Sequence, residues 1–229
     1  MANFESMQPG SYQTIGSPAS GLYKEKGSKF IAYAYPVSSE EEVKDHLEQL
    51  RKEHPKARHY CYAYRINTDG SLYRANDDGE PSATAGKPIL GQLLSFEVTD
   101  TLIVVVRYFG GTKLGASGLI QAYKTAAQDA LTQAEIVTRI VMTPFQIQFP
   151  YAVSGEIMQS LARIHASTLA EKYTDRGLIE FELPLAEADK RIHQMKSHLA
   201  GFDGMAEDMD QKLVEKGIFL ASADKDEGK

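Results

Sequence analysis

Residues 102–118 read LIVVVRYFGGTKLGASG, and this stretch sets the architecture of the first half of the chain. The aliphatic run at 102–106 is far shorter than a membrane span of about 20 residues. Its continuity instead predicts a strand buried on both faces. Four glycines follow (Gly110, Gly111, Gly115, Gly118), and behind them Leu119, Tyr123, Ala126, Ala127, Ala130 and Leu131 recur at helical spacing. Upstream, 30–35 alternates as a strand. Ser39 and Glu42 form a capping box for a helix that His54-Pro55 ends. Residues 58–66 and 72–75 are strands joined across the Asn67-Thr68-Asp69-Gly70 turn, and Pro88 is placed to start a helix. The first twenty residues, rich in Ser, Gly, Pro and Gln, read as a loose lead-in.

The remainder has a pattern of its own. A strand signal at 137–149 is interrupted at Pro144, and Ser154 caps a helix. Strands at 167–174 and 178–183 follow, then a helix at 186–199 and a last strand at 212–220. The order β-α-β-β-α-β predicts a ferredoxin-like domain. The chain therefore divides into an N-terminal α+β domain over 1–136 (core 20–134), a ferredoxin-like domain over 137–221, and a charged tail over 222–229.

The 229 residues carry a net charge of −6, with one cysteine and no tryptophan. A single Cys forms no internal disulfide, and no Cys/His cluster has zinc-site spacing. The beginning, MANFESMQPGSYQ, has neither the basic nor the apolar region of a signal peptide, so a cytoplasmic protein with no membrane association is expected. The acidity opposes nucleic-acid coating by bulk charge. It is unevenly distributed, however. Residues 1–134 hold 14 Lys and Arg against 15 Asp and Glu, a net of −1, whereas 135–229 hold 11 against 16, a net of −5. A local basic surface on the first domain is compatible with that division.

Every stretch able to carry chemistry lies in the first domain. Glycine amides, a helix N-terminus, Arg107 and Lys113 suit an anion, although the spacing matches neither a Walker loop nor a dinucleotide fingerprint. A tight strand-to-helix turn explains the same glycines equally well. Arg107-Tyr108-Phe109 sets a cation beside two aromatics, of which a regular strand turns at most one toward a ligand. His59 and Cys61 share a strand face but not hydrogen-bonding geometry, and a buried small Cys is the favoured reading. Asp77, Asp78 and Glu80 crowd three carboxylates into one loop, which suits either a hard cation or an Asp/Gly turn. Thr84, Gly86 and Lys87 then offer a hydroxyl, a glycine and a cation at a helix start.

Residues 26–30 (KGSKF), 54–61 (HPKARHYC), 77–88 (DDGEPSATAGKP) and 104–115 (VVVRYFGGTKLG) together resemble the Impact/YigZ family. The resemblance implies a two-layer α+β N-terminal domain like domain IV of elongation factor G and a small-subunit ribosomal protein. It also implies a ferredoxin-like C-terminal domain like domain V of that factor. A eukaryotic relative regulates translation through an initiation-factor kinase pathway, largely by way of an extra N-terminal domain that this sequence has no room for. Bacterial members have been proposed to bind nucleic acid or the ribosome. On this basis Arg58, His59, Thr84, Gly86, Lys87, Arg107, Tyr108, Phe109, Gly110, Gly111, Lys113 and Gly115 are the candidate RNA- or ribosome-binding residues, with no cofactor. The alternative is a metal-assisted hydrolase using His59, Asp77, Asp78 and Glu80. A third reading, a protein partner docking on the C-terminal domain, predicts an exposed apolar face there. On the leading reading, Arg107→Glu and Lys87→Glu weaken RNA and ribosome binding.

Overall fold

The computed structural model describes residues 10–223. Among them, backbone contacts divide the chain into one unit over Ser11–Arg139 and a second comprising Gly10 and residues 140–223. The expected tail beyond 223 and the first nine residues of the expected lead-in lie outside the described residues.

The first unit contains β1 (Ser11–Ile15), β2 (Ala19–Glu25), β3 (Ser28–Pro36), α1 (Glu40–Glu53), β4 (His59–Ile66), β5 (Leu72–Asn76), α2 (Gly86–Ser95), β6 (Thr101–Tyr108), α3 (Gly115–Gln133) and β7 (Ile136–Ile140). Five strands form one antiparallel sheet in the order β2-β3-β6-β4-β5, with the aliphatic strand β6 at its centre. One sheet face packs Phe30, Ala32, Cys61, Ala63, Ile103 and Val105 under α2 and α3. This sheet and helix pair make the two expected layers. Helix α1 adds a third on the opposite face, where Val43 and Leu50 pack with Tyr60, Tyr64, Leu102 and Val104. The central strand is therefore covered on both sides, as its unbroken run of aliphatic residues requires.

The supposed loose lead-in is partly strand. β1 pairs with β7, and β2 pairs with β3 through a two-residue turn in which Lys26 and Gly27 both have positive φ (44° and 79°). That geometry matches the right-handed twist of a hairpin. Strand β2 forms one sheet edge, yet Asp129 of α3 accepts from the Leu22 N–H at 2.8 Å, which blunts that edge. Gly21 permits the approach, because a Cβ there would lie 2.3 Å from the Ala130 nitrogen.

The second unit runs β8 (Met142–Phe149), α4 (Ser154–Arg163), β9 (Ser167–Tyr173), β10 (Gly177–Pro184), α5 (Ala188–Ala200), α6 (Ala206–Glu215) and β11 (Phe219–Ser222). Its sheet order, β11-β8-β10-β9, is the ferredoxin-like arrangement, with α6 inserted before the last strand. The single strand expected at 212–220 is corrected: residues 212–215 are the end of helix α6, on which Met209 and Leu213 stand one turn apart and are both buried, and the strand is confined to Phe219–Ser222. Helix α6 gives way at Gly217, whose φ is +71°. The 137–149 signal is two strands, broken at Val141 rather than at Pro144. Exposed apolar side chains of this unit, such as Met158, Leu169, Met205 and Phe219, are scattered over different helices, strands and loops. Among the described residues no helix is long and apolar enough to cross a membrane.

Two glycine substitutions separate these packing demands. Gly21→Ala forces a methyl into the α3 backbone and is expected to lower unfolding free energy by about 1–3 kcal/mol. Gly91→Ala, in the interior of α2 with nothing within 4 Å of its added methyl, is expected to raise it by up to about 1 kcal/mol. Urea titrations of both variants check the pair.

Candidate functional site

One end of the five-stranded sheet gathers the sequence-predicted residues of the first unit. Strands β3 and β4 begin there, β5 and β6 end there, and helices α2 and α3 start from it. The register sets Lys29 opposite Tyr108 and His59 opposite Arg107. The glycine loop after β6 is fixed to the β2–β3 turn by backbone packing: a Cβ on Gly110 would lie 1.9 Å from the carbonyl carbon of Gly27. The Gly110 N–H also donates to Ser28 Oγ at 3.1 Å.

The acidic loop turns its carboxylates to three different tasks. Asp77 Oδ1 accepts from the N–H groups of Ala85 (2.9 Å) and Gly86 (2.8 Å), and Oδ2 from that of Ala83 (2.9 Å). Asp77 thus caps helix α2 from across the loop, meeting donors that no neighbouring side chain meets. Asp78 accepts from the Tyr60 N–H at 2.7 Å and from Arg51 of α1 at 3.1 Å. Glu80 points inward to an ion pair with Arg107 and accepts from the Tyr123 hydroxyl at 2.8 Å. The alternative in which Asp77, Asp78 and Glu80 hold a metal is corrected by this geometry. The carboxylates diverge, and among the described residues no group of three His, Cys, Asp or Glu side chains could hold an ion.

Arg107 is placed differently from its expected role. It is 6% exposed, shares the inward face of β6 with Ile103 and Val105, and is neutralised by Glu80. Its guanidinium lies 5.2 Å from the Phe30 ring centroid and 5.6 Å from that of Phe109. Arg107 is therefore a support of the loop rather than a surface ligand for phosphate. Arg107→Glu is correspondingly a poor test of binding, since it sets two buried carboxylates against each other. Thr84 is also withdrawn, buried with its hydroxyl donating to the Pro81 carbonyl at 2.6 Å. Gly86 is buried against the Asn76 backbone, where a Cβ would lie 2.5 Å from the nitrogen.

The other candidates face outward. Arg58, Lys87 and Lys113 are exposed, as are Gly110, Gly111 and Gly115. His59 is half-buried, and its Nδ1 lies 2.8 Å from the Asp78 carbonyl oxygen. A carbonyl only accepts, so Nδ1 carries the proton and Nε2 is left without a partner among the described residues. The two aromatics separate cleanly. Tyr108 is half-buried on the α1 side with its hydroxyl 2.9 Å from His54 Nδ1, whereas Phe109 leaves the strand and is 54% exposed. Helix α3 begins after Leu114 with no side-chain cap.

Sequence reasoning missed Tyr123 and the lysines of the first hairpin as parts of this end. By spacing Tyr123 is an apolar position of its helix, but a buried tyrosine also needs a partner for its hydroxyl. Lys24 and Lys29 sit directly opposite each other on β2 and β3, and Lys26 stands in the turn between. Like charges in register destabilise a strand pair, and among the described residues none of the three makes an ion pair. Cys61 is buried, with Sγ 3.0 Å from the Asp77 carbonyl oxygen and 3.3 Å from the Tyr123 hydroxyl. Burial pushes its thiol pKa well above the ordinary range, which excludes a resting thiolate.

A sequence model described as the Impact N-terminal domain matches residues 26–131. The chain is similar to the IMPACT family member YvyE of Bacillus subtilis, at 37% identity over 71% of this chain and 74% of that one. It is also similar to the IMPACT family member YigZ of Escherichia coli, at 32% identity over 81% and 90% respectively. Among solved structures, one titled "Crystal structure of an hypothetical protein" matches with a TM-score of 0.70 and 28% identity, covering 96% of this chain and all of that one.

The buried thiol has a measurable consequence. Above about pH 8.5 the unfolded chain ionises Cys61 while the folded chain does not. The unfolded state then binds fewer protons, so stability falls as pH rises, by at most about 1.4 kcal/mol per pH unit for one group. Urea midpoints at pH 7.5, 8.5 and 9.5 are expected to fall more steeply for the parent than for Cys61→Ala. Parallel slopes would contradict the assignment.

Proposed function

The chain belongs to the Impact family, and on that premise we propose that it acts on translation by binding RNA, free or within the ribosome, through the basic rim at the glycine-loop end of its first unit. One observation carries this reading. Lys24, Lys26, Lys29, Arg58 and Lys113 are exposed around that end, and none makes an ion pair among the described residues. Two of them face each other across a strand pair.

A protein of net charge −6 that leaves cations unpaired and in register retains a local repulsion, which a polyanion relieves. The open N-terminus of α3 adds partial positive charge and N–H donors. His59 Nε2 is a further polar atom without a partner among the described residues. Lys87 extends the basic surface to the first turn of α2. No bulk positive field is needed for this, because phosphates are met one at a time along the rim.

Charge reversal at two rim positions tests the reading without touching the buried pair. In Lys29→Glu/Lys113→Glu, affinity for an RNA hairpin with a single-stranded tail is expected to fall at least about tenfold at low salt. The slope of log affinity against log salt should become shallower by roughly 1.4, for two lost contacts on a single strand. Fluorescence anisotropy across a salt series reads both quantities. Sedimentation with ribosomal subunits should weaken in parallel, and unchanged affinity, slope and sedimentation would exclude this rim as the RNA contact.

A further inference from the structure

Phe109 is the aromatic side chain that the rim leaves exposed, and its backbone is held on both sides. Before it, Tyr108 is paired in register with Lys29 and bonded to His54. After it, Gly110 packs against the Gly27–Ser28 backbone too closely for any side chain. The Arg107 guanidinium, itself buried, lies over the phenyl ring, which is nevertheless 54% exposed. The result is a half-exposed apolar plate at the end of β6, one residue past the Tyr108–Lys29 register pair and four before Lys113.

We propose that this plate makes the rim selective for RNA with an unpaired base, which stacks on Phe109 while the flanking phosphates lie against Lys29, Lys113 and the N-terminus of α3. The inference rests on the RNA reading above and adds the class of RNA. In an A-form duplex the base faces are covered by their neighbours, and only loops, bulges and single strands offer one to an aromatic ring. Every base has such a face, so the preference is for strandedness and not for sequence. Tyr108 cannot serve instead, because its ring is half-buried on the α1 side and its hydroxyl is engaged.

The test uses the full chain with two labelled RNAs, a mixed-sequence single strand of 12 nucleotides and a fully paired duplex of 24 base pairs. Binding of Phe109→Ala, Phe109→Tyr and Lys29→Glu is compared with the parent by anisotropy. Phe109→Ala is expected to weaken single-strand binding roughly 5- to 150-fold, the range for one lost base stack, and to change duplex binding less than twofold. Phe109→Tyr, which keeps the ring, should retain the single-strand affinity. Equal effects of Phe109→Ala on both probes, or none on either, would overturn the selectivity; if Lys29→Glu still weakens both, the RNA reading survives. Should Lys29→Glu change neither probe, the RNA reading falls with it. Matching thermal melts of Phe109→Ala, Lys29→Glu and the parent exclude misfolding as the cause of any loss.

Discussion

A carboxylate and a guanidinium, both almost wholly removed from water, join the acidic loop to the end of the central strand. Glu80 and Arg107 pair with side chains 4% and 7% exposed, and Tyr123 donates a further hydrogen bond to the same carboxylate oxygen. Removing two ions from water costs several kcal/mol each, which only a close and further hydrogen-bonded pair offsets. Once formed, the pair is hard to loosen, because removing either partner strands the other at a cost of about 3–5 kcal/mol. Loop 77–86, the end of β6 and helix α3 are thereby fixed to one another. Cys61 closes the same cluster from beneath.

That constraint divides the charges of this region into two populations. Asp77, Asp78, Glu80, Arg51 and Arg107 are committed to one another or to backbone amides. The rim lysines, Arg58 and Lys87 are committed to nothing among the described residues. The carboxylates of the acidic loop are thus occupied by the fold and are not spent on the rim cations. A loop that reads as acidic in sequence lies beside a surface that is locally basic. The overall charge of −6 is misleading for the same reason, since much of it belongs to the second unit. The exposed ring of Phe109 gains its fixed position from the same pair, because Arg107 lies against it.

Much of this was legible in the residues. The unbroken run at 102–106 announced a strand covered on both faces, and the β-α-β-β-α-β order announced the second unit. The inward direction of Arg107 was also available, since it shares parity with Ile103 and Val105 on a strand of period two. Its identity as a cation beside aromatics outweighed that signal. The task of Asp77 was not legible, because it caps a helix nine residues downstream across a folded loop, and no local spacing records that. The in-register lysines became visible only once 19–25 was known to be a strand. The helix at 206–215 was hidden by a short apolar stripe, Met209 and Leu213, that a strand reading could also accommodate.

On the proposed reading, the glycine-loop rim, with its ring and its unpaired cations, is where this chain meets RNA. Ultraviolet crosslinking of the intact protein to single-stranded RNA, followed by mass spectrometry of the adducted peptides, tests it most directly. Nucleotide adducts are expected on Phe109 and on the Lys29 and Lys113 segments, and they should disappear at high salt. Adducts confined to the ferredoxin-like unit, or spread without preference over both units, would contradict it.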